Sequence, residues 1–428
     1  MTSASNPYLT LLRSNRDYRN LFSALVVSLL GDWLNLIAVF VLLGEIAGAS
    51  AEVYAWVIVL KMLPSAILGP LAGVVADTFD RRALMLLSDL LRAMIAILLL
   101  LVPLYPSLLL VCTLIFLQSS LSAFFEPARS AILPDLLDKE HLLLAGALGA
   151  LAWSVCLTAG SALGGVITEF LSWQVAVVCD AGSYLVSAYL VAQLPRKIRS
   201  SSDNDVAERR SLRTIPIRQL LGFDRLVEGL RYLKAQPQIA SLMTVKSLYS
   251  LAGATTLMLT VFGQEVFRMG ESGALSVALL FTARGMGAAC GPFIARWWVV
   301  NDREKMLRLV GVGFIVGAVC YSVVSHAPSI WVAALCIVFS HMAGAVTWTM
   351  STVLIQLEAD REQLGRVFGI ELMLFDFMLA FATLFYGTLI GNDWLSPRAA
   401  ALMMALSWLP AAGVWYCLRR RYFGTQNH

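Results

Sequence analysis

The chain has 428 residues, 58% of them hydrophobic and only 14% charged, where a soluble domain carries about 25% charged residues. A mean hydropathy of +0.74 over this length excludes an ordinary soluble domain and puts the apolar excess in lipid. Net charge is only +4, so the placement of the charges carries more information than their sum.

The first twenty residues hold Arg13, Arg16 and Arg19 but no small-residue cleavage site. The long apolar run after them reads as a retained first membrane helix rather than a signal-peptide core. A span needs roughly 20 mainly apolar residues. Twelve segments qualify: 20–43, 53–76, 83–103, 107–133, 142–168, 174–194, 238–263, 274–298, 306–325, 330–357, 366–390 and 397–418. The fourth and tenth are long enough that their last turns project past the bilayer or tilt within it. Residues 1–194 and 238–428 therefore form two six-helix units. The polar segment 195–237 between them opens on a flexible stretch, Ser200 to Asp203. Its end, 219–234, recurs apolar at helical spacing and predicts an amphipathic helix lying on the membrane surface or against the bundle.

Lys and Arg fix the orientation. With the N-terminus cytoplasmic, 24 of the 32 basic residues fall on the cytoplasmic side and only Arg268 and Arg398 on the other. Both termini are thus expected in the cytoplasm and the chain in a bacterial inner membrane, in contact with lipid. No nucleic-acid partner is expected.

The two halves align at an offset of 222 residues. Gly69-Pro70 maps onto Gly291-Pro292, Asp80-Arg81 onto Asp302-Arg303, Pro106-Ser107 onto Pro328-Ser329, and Lys139-Glu140 onto Arg361-Glu362. Six spans return the chain to its starting side, so the repeats are parallel and related by an axis along the membrane normal. Two such bundles can rock about a central site. A channel needs no repeat of this kind.

The seven cysteines form no CxxC pair, and the four histidines form no metal pattern, so no metal site is expected. There is no GxxxxGK[ST] loop to bind a nucleotide. No nucleophile–base constellation is visible, and an enzyme is not expected. With no cofactor expected, energy comes from an ion gradient, most simply of protons, or from the gradient of the transported molecule.

Gly73, Asp77, Arg81 and Arg82, in GVVADTFDRR between the second and third spans, resemble the signature loop of the major facilitator superfamily. Asp80 stands where many members have Gly, a variant similar to the drug- and siderophore-exporting branch. Gly31-Asp32-Trp33, the run Phe124 to Asp135 and the run Glu228 to Leu233 together resemble macrolide-efflux and enterobactin-exporter-like proteins. Gly160 to Gly165 (GSALGG) resembles a glycine-rich antiporter motif, with Ser161 where Pro often stands. Small residues there equally suit close helix packing. The resemblance implies an all-α fold of twelve transmembrane helices in two pseudo-symmetric six-helix bundles. It also implies export of an amphipathic small molecule by alternating access, as a monomer. The same fold in related branches moves lysophospholipids or divalent iron. The signature loop is the expected gate: its ion pairs lock neighbouring helix ends and break when the inner side opens.

A charge within the bilayer asks for a partner, a wet cavity or a function. Asp89 and Arg92, spaced i,i+3, can pair with each other, as can Glu126 and Arg129; Glu126 remains a possible proton carrier. Asp32 has no partner on its own helix and is the leading coupling acid, with Asp376 and Glu371 next. Lys61, Lys246, Arg284, Asn35, Trp33 and Phe375 are the further cavity candidates. The resemblance implies that the first, second, seventh, eighth and eleventh spans face one central cavity, which gathers these groups around a common volume. Asp180 on the sixth span is expected to face structure or headgroups.

Overall fold

The structure, a computed structural model, describes residues 7–48, 50–195, 223–251, 253–298, 302–360 and 363–424. Its described elements are helical: α1 Pro7–Ser14, α2 Arg16–Ala47, α3 Ala51–Thr78, α4 Arg81–Leu99, α5 Leu108–Leu136, α6 Lys139–Phe170, α7 Trp173–Ala192, α8 Phe223–Ala235, α9 Pro237–Leu251, α10 Thr255–Val261, α11 Ala274–Trp298, α12 Arg303–His326, α13 Ile330–Glu358, α14 Leu364–Gly391 and α15 Pro397–Phe423. Among the described residues, twelve helical stretches are long and apolar enough to cross a membrane. The chain is a multi-pass membrane protein of two six-helix bundles. With an even number of spans, both ends of the chain lie at one face, called here the terminal face.

Every predicted span is present, most a few residues longer than hydropathy indicates. α2 and α6, at 32 residues each, exceed the 29 of α5 and α13, the two spans expected to run past the bilayer or tilt within it. The seventh span differs more. It is broken between α9 and α10 around Gly253 and ends in a π-helical turn, Phe262–Val266. Hydropathy averages over such a break, because the residues at 253–255 are small rather than polar. The polar start of the central segment lies outside the described residues, as do positions 219–222 of the predicted amphipathic helix. The rest forms α8, which packs on α14: Gly229 abuts Ile370 and Glu228 pairs with Arg366 at 2.8 Å.

Helix starts follow local chemistry, and the two halves use it alike. Asp80 caps α4 through Ala83 N, and Asp302, 222 residues later, caps α12 through Lys305 N. Ser107 caps α5 and Ser329 caps α13 in the same way. Each cap satisfies an amide that the first turn leaves unpaired. The packing repeats as well. In one half α5 packs on α3 and α4, and α4 on α7; in the other α13 packs on α11 and α12, and α12 on α15.

Lipid offers no hydrophobic drive for helices to associate, so close packing must do it. Gly160 and Gly164 of the GSALGG run lie against the α2 backbone at Leu30 and Leu34, where any Cβ would clash. Large apolar side chains such as Phe170, Leu109 and Trp331 point outward.

The bundles meet through α6 against α11 and α3 against α14. Their contact is one-sided. On the far face, Gly165 abuts Ala278, Gly387 abuts Ala55, and Gly391 abuts Glu52. Phe281 of α11 lies 6.5 Å from Trp33 and 6.3 Å from Phe40 of α2. Toward the terminal face three of these helices stand apart: side chains built at Gly69 and Gly73 of α3, Gly146 and Gly149 of α6, or Gly365 and Gly369 of α14 would meet nothing within 4 Å. The molecule is closed at the far face and open at the terminal face.

Candidate functional site

Four helices of the amino-terminal bundle each supply polar groups at one level: Asp32 and Asn35 from α2, Asp89 and Arg92 from α4, Gln118 from α5, and Asp180, Tyr184 and Ser187 from α7. Spacings of three or four residues put each set on one helix face. Arg92 donates to Asp32 Oδ2 at 3.0 Å and Oδ1 at 3.1 Å, and to the Tyr184 hydroxyl at 3.0 Å. Its guanidinium carbon also sits 4.1 Å from the Tyr184 ring centroid. Tyr184 donates to Asp32 Oδ1 at 2.6 Å. Gln118 donates to the Tyr184 oxygen at 3.0 Å and to Asp180 Oδ2 at 3.3 Å, and Asn35 donates to the same Asp180 oxygen at 2.7 Å. Ser187 donates to Asp89 Oδ2 at 2.6 Å, and Asp89 Oδ1 lies 3.6 Å from Arg92.

Asp32 is the member of this network that meets open space. Its side chain is 25% exposed, against 3% for Arg92. It lines a cavity of about 180 Å³ with Trp33, Asn35, Lys61, Arg92, Gln118 and Trp153. Trp33 and Trp153 meet edge to face at 5.6 Å and supply an aromatic wall. Lys61 makes no direct bond with another described residue, which leaves its ammonium to the cavity. The arrangement combines a reachable carboxylate, a free cation and two indoles, enough to hold an amphipathic molecule by its polar end.

All the lining residues belong to the amino-terminal bundle. This cavity therefore gathers only the amino-terminal members of the groups expected around one volume. Lys246 and Glu371 form a separate buried pair at 2.8 Å in the carboxy-terminal bundle, where Lys246 also donates to Thr352 and lies 4.3 Å from the Trp348 ring. Phe375 packs edge to face on Trp348. Arg284 donates to Thr256 at 2.7 Å and has no carboxylate partner among the described residues. Asp376 is half-buried with no partner of its own among them. Glu126 is 48% exposed and paired to Arg129 at 2.7 Å, as the spacing predicts.

In the signature loop, Arg81 binds Asp135 at 2.7 Å and the Ala131 carbonyl at 2.8 Å, while Arg82 donates to the carbonyls of Val191 and Ala192. Gly73 lies on the open seam. The Asp77 side chain lies outside the described residues. These bonds tie α4 to α5 and α7 within one bundle, and they are made while the terminal face is open. In the other half Arg303 pairs with Glu358 at 2.6 Å.

Sequence reasoning singled out Asp32 and Asn35 but gave Arg92 to Asp89 alone and assigned Asp180 to structure or headgroups. The structure keeps Arg92 beside Asp89 at 3.6 Å and bonds it also to Asp32 on another helix, and it buries Asp180 completely, so Asp180 faces structure rather than headgroups. Tyr184 and Gln118 were missed. The available signal was the polar stripe Asp180, Tyr184, Ser187 at helical spacing along α7. Also missed was Glu169 at the end of α6. It accepts the Glu271 backbone N–H at 2.7 Å and a bond from the Ser272 hydroxyl, joining the bundles at the closed face.

A family model described as Major Facilitator Superfamily matches residues 21–383. The chain belongs to the Major Facilitator Superfamily. It is similar to YfiS of Bacillus subtilis, an uncharacterized transporter of this type, at 28% identity over 69% of the chain. The match spans 63% of the length of YfiS. It is 23% identical to BacE of Bacillus amyloliquefaciens, described as a proposed bacilysin exporter, over 84% of the chain and 83% of that protein. Macrolide efflux protein A of Streptococcus pyogenes is 22% identical over 82% and 84% respectively. Among solved structures, a bacterial homologue of the human lysosomal transporter Spinster, inward-facing and occupied, superposes with a TM-score of 0.71 at 12% identity, covering 98% of this chain and 99% of that one. At that identity the likeness concerns the fold. The family and the relatives are transporters, not enzymes.

Proposed function

We propose that this superfamily member exports an amphipathic small molecule of the drug, macrolide or siderophore kind by proton-coupled antiport. The terminal face is taken as cytoplasmic because 24 of 32 basic residues fall there. The observation that carries the reading is Asp32: a carboxylate 25% exposed to a cavity, held from behind by Arg92 and Tyr184. Efflux proteins among the relatives support the direction.

In the terminal-face-open state a substrate enters between α3, α6 and α14 and reaches the cavity. Its polar end meets Asp32 or Lys61, and its apolar body lies on Trp33 and Trp153. Binding energy that is larger in the occluded form draws the terminal ends together, since a ligand shifts an equilibrium only by its differential affinity. The far face then opens, and a proton taken up at Asp32 replaces the substrate and accompanies the return. Substrate and proton compete for one carboxylate, which is the simplest route to exchange. Divalent iron suits this site less well: Asp32 is already engaged by a guanidinium and a hydroxyl, and no group of three His, Cys, Asp or Glu among the described residues is placed to hold a metal.

Purified protein in proteoliposomes, given a pH gradient and a panel of macrolides, siderophores, lysophospholipids and Fe²⁺, tests this directly. Movement of an amphipathic compound, accelerated by the gradient and insensitive to it in Asp32→Asn, is the expected result. Equal pH dependence in wild type and Asp32→Asn would remove Asp32 from coupling, and iron or lysolipid as the only cargo would replace the substrate reading.

A further inference from the structure

The network behind Asp32 holds more acids than its cation can answer. Ionised, Asp32, Asp89 and Asp180 carry three negative charges against one on Arg92, and Asp89 and Asp180 are 0% exposed. The other groups facing them are neutral: Asn35 on α2, Gln118 on α5, and Tyr184 and Ser187 on α7. Lys61 on α3 is charged and its field reaches Asp180, but it is turned to the cavity with no direct bond to any of the three, so even counting it three acids face two cations. An uncompensated charge at this depth is strongly disfavoured, and such a group neutralises instead.

Geometry singles out which acid does so. Asp32 shares two bonds with Arg92, and Asp89 lies beside the same guanidinium. Asp180 makes no ion pair among the described residues. Its Oδ2 meets only the amides of Asn35 and Gln118, and its Oδ1 is buried with no partner. Asn35, 3% exposed, also has an unpaired buried Oδ1. The nitrogen and oxygen of an amide exchange by rotation. A proton on Asp180 would then be received by the Asn35 oxygen across the same 2.7 Å, an ordinary O–H···O length.

We propose that Asp180 carries a proton in the terminal-face-open state and gives it up when Arg92 is released from Asp32. This deepens the antiport reading above and rests on it for the release step only. When a proton or a cationic group of the substrate neutralises Asp32, Arg92 is freed toward Asp89 and Asp180. Asp180 becomes a carboxylate, and its proton passes to cavity water. One positive charge arrives at Asp32 and one leaves Asp180, so the network keeps its net charge. Asp180 is thereby a second proton site, reached through Arg92 and Tyr184 rather than by direct contact with substrate.

Infrared spectroscopy of the purified protein in lipid nanodiscs at neutral pH reads protonated carboxyl groups by their carbonyl stretch. The expected spectrum contains one such band that Asp180→Asn removes and Asp89→Asn does not. Asp32→Asn, which neutralises the partner of Arg92, is expected to remove it too. Asn mimics a neutral acid in shape and charge, so Asp180→Asn is expected to unfold at the wild-type temperature. A carboxyl spectrum unchanged by Asp180→Asn, or an Asp180→Asn protein that no longer folds, overturns the proton site. A band that survives Asp32→Asn overturns the release step. A band with the predicted mutational pattern in a protein whose transport ignores pH would sink the antiport reading and leave the Asp180 proton in place.

Discussion

Arg92 is 3% exposed and carries the charge around which Asp32, Asp89 and, through Tyr184 and Gln118, Asp180 are arranged. Removing one partner of a buried ion pair leaves an uncompensated charge, a loss of roughly 3–5 kcal/mol. Arg92→Met is therefore expected to lower the unfolding temperature in detergent by far more than Asp32→Asn. Arg92→Lys keeps the charge but loses the planar fork that reaches both oxygens of Asp32, and is expected to fall between them. The other bundle offers an independent case. Lys246→Met strands Glu371, which is 2% exposed, and should cost a similar ~3–5 kcal/mol. Adding Glu371→Leu removes the stranded charge and is expected to recover most of the loss; a double variant no better than the single would contradict the pairing. At this scale the sequence was partly legible. A carboxylate alone in an apolar helix, as at Asp32, announces itself. The partner does not: Asp89 stands three residues from Arg92 on its own helix and pairs with it, and nothing local says that the guanidinium also crosses to α2.

Helices were the most legible elements, because twenty apolar residues in lipid have one good way to satisfy their backbone. The caps at Asp80 and Asp302 and at Ser107 and Ser329 follow the internal repeat closely enough to be legible in the amino-acid pattern itself. The break at Gly253 was hidden because small apolar residues leave the hydropathy average intact. The far-face closure was hidden too, since it joins residues a hundred positions apart. There Glu169 of α6 accepts from Glu271 and Ser272, and Gly270, at φ +79°, lies against its carboxylate. No side chain would fit between them, and few L-residues adopt that φ. Glu169→Ala removes the one carboxylate that joins the bundles there through the 270–272 turn, and Gly165→Leu drives a wedge between α6 and Ala278 of α11. Both are expected to shift the population toward far-face opening, seen as increased labelling, by an impermeant thiol reagent, of a cysteine introduced at the buried seam position Ala55 (Ala55→Cys). Unchanged labelling in both would mean that other contacts hold the gate. The Glu228–Arg366 pair between α8 and α14 is exposed, and Glu228→Ala should change stability by no more than about 1 kcal/mol.

For the whole molecule, the parallel repeat and the charge asymmetry were sufficient to foresee two bundles with both chain ends at one face. They could not foresee how the halves divide the chemistry. Of the charged groups expected around one volume, Asp32 and Lys61 line the cavity in one bundle, Lys246 and Glu371 form a packed pair in the other, and Arg284 and Asp376 belong to neither arrangement. In the proposed antiport that asymmetry divides the tasks, with the exchangeable charges in one bundle and the opposing wall in the other, where Phe281 is seated between Trp33 and Phe40. The signature-loop bonds of Arg81 and Arg82 stay within the first bundle and keep it rigid as it moves. The central claim is that the two bundles rock about this cavity so that one face closes as the other opens. Pulsed electron resonance distances in nanodiscs measure it most directly, with spin labels at 146 and 365 across the open seam and, in a second sample, at 171 and 394 on the far face. On Asp32→Asn substitution or acidification, the two distances should change in opposite senses, one shortening as the other lengthens. Two distances that stay fixed, or that change in the same direction, would contradict alternating access.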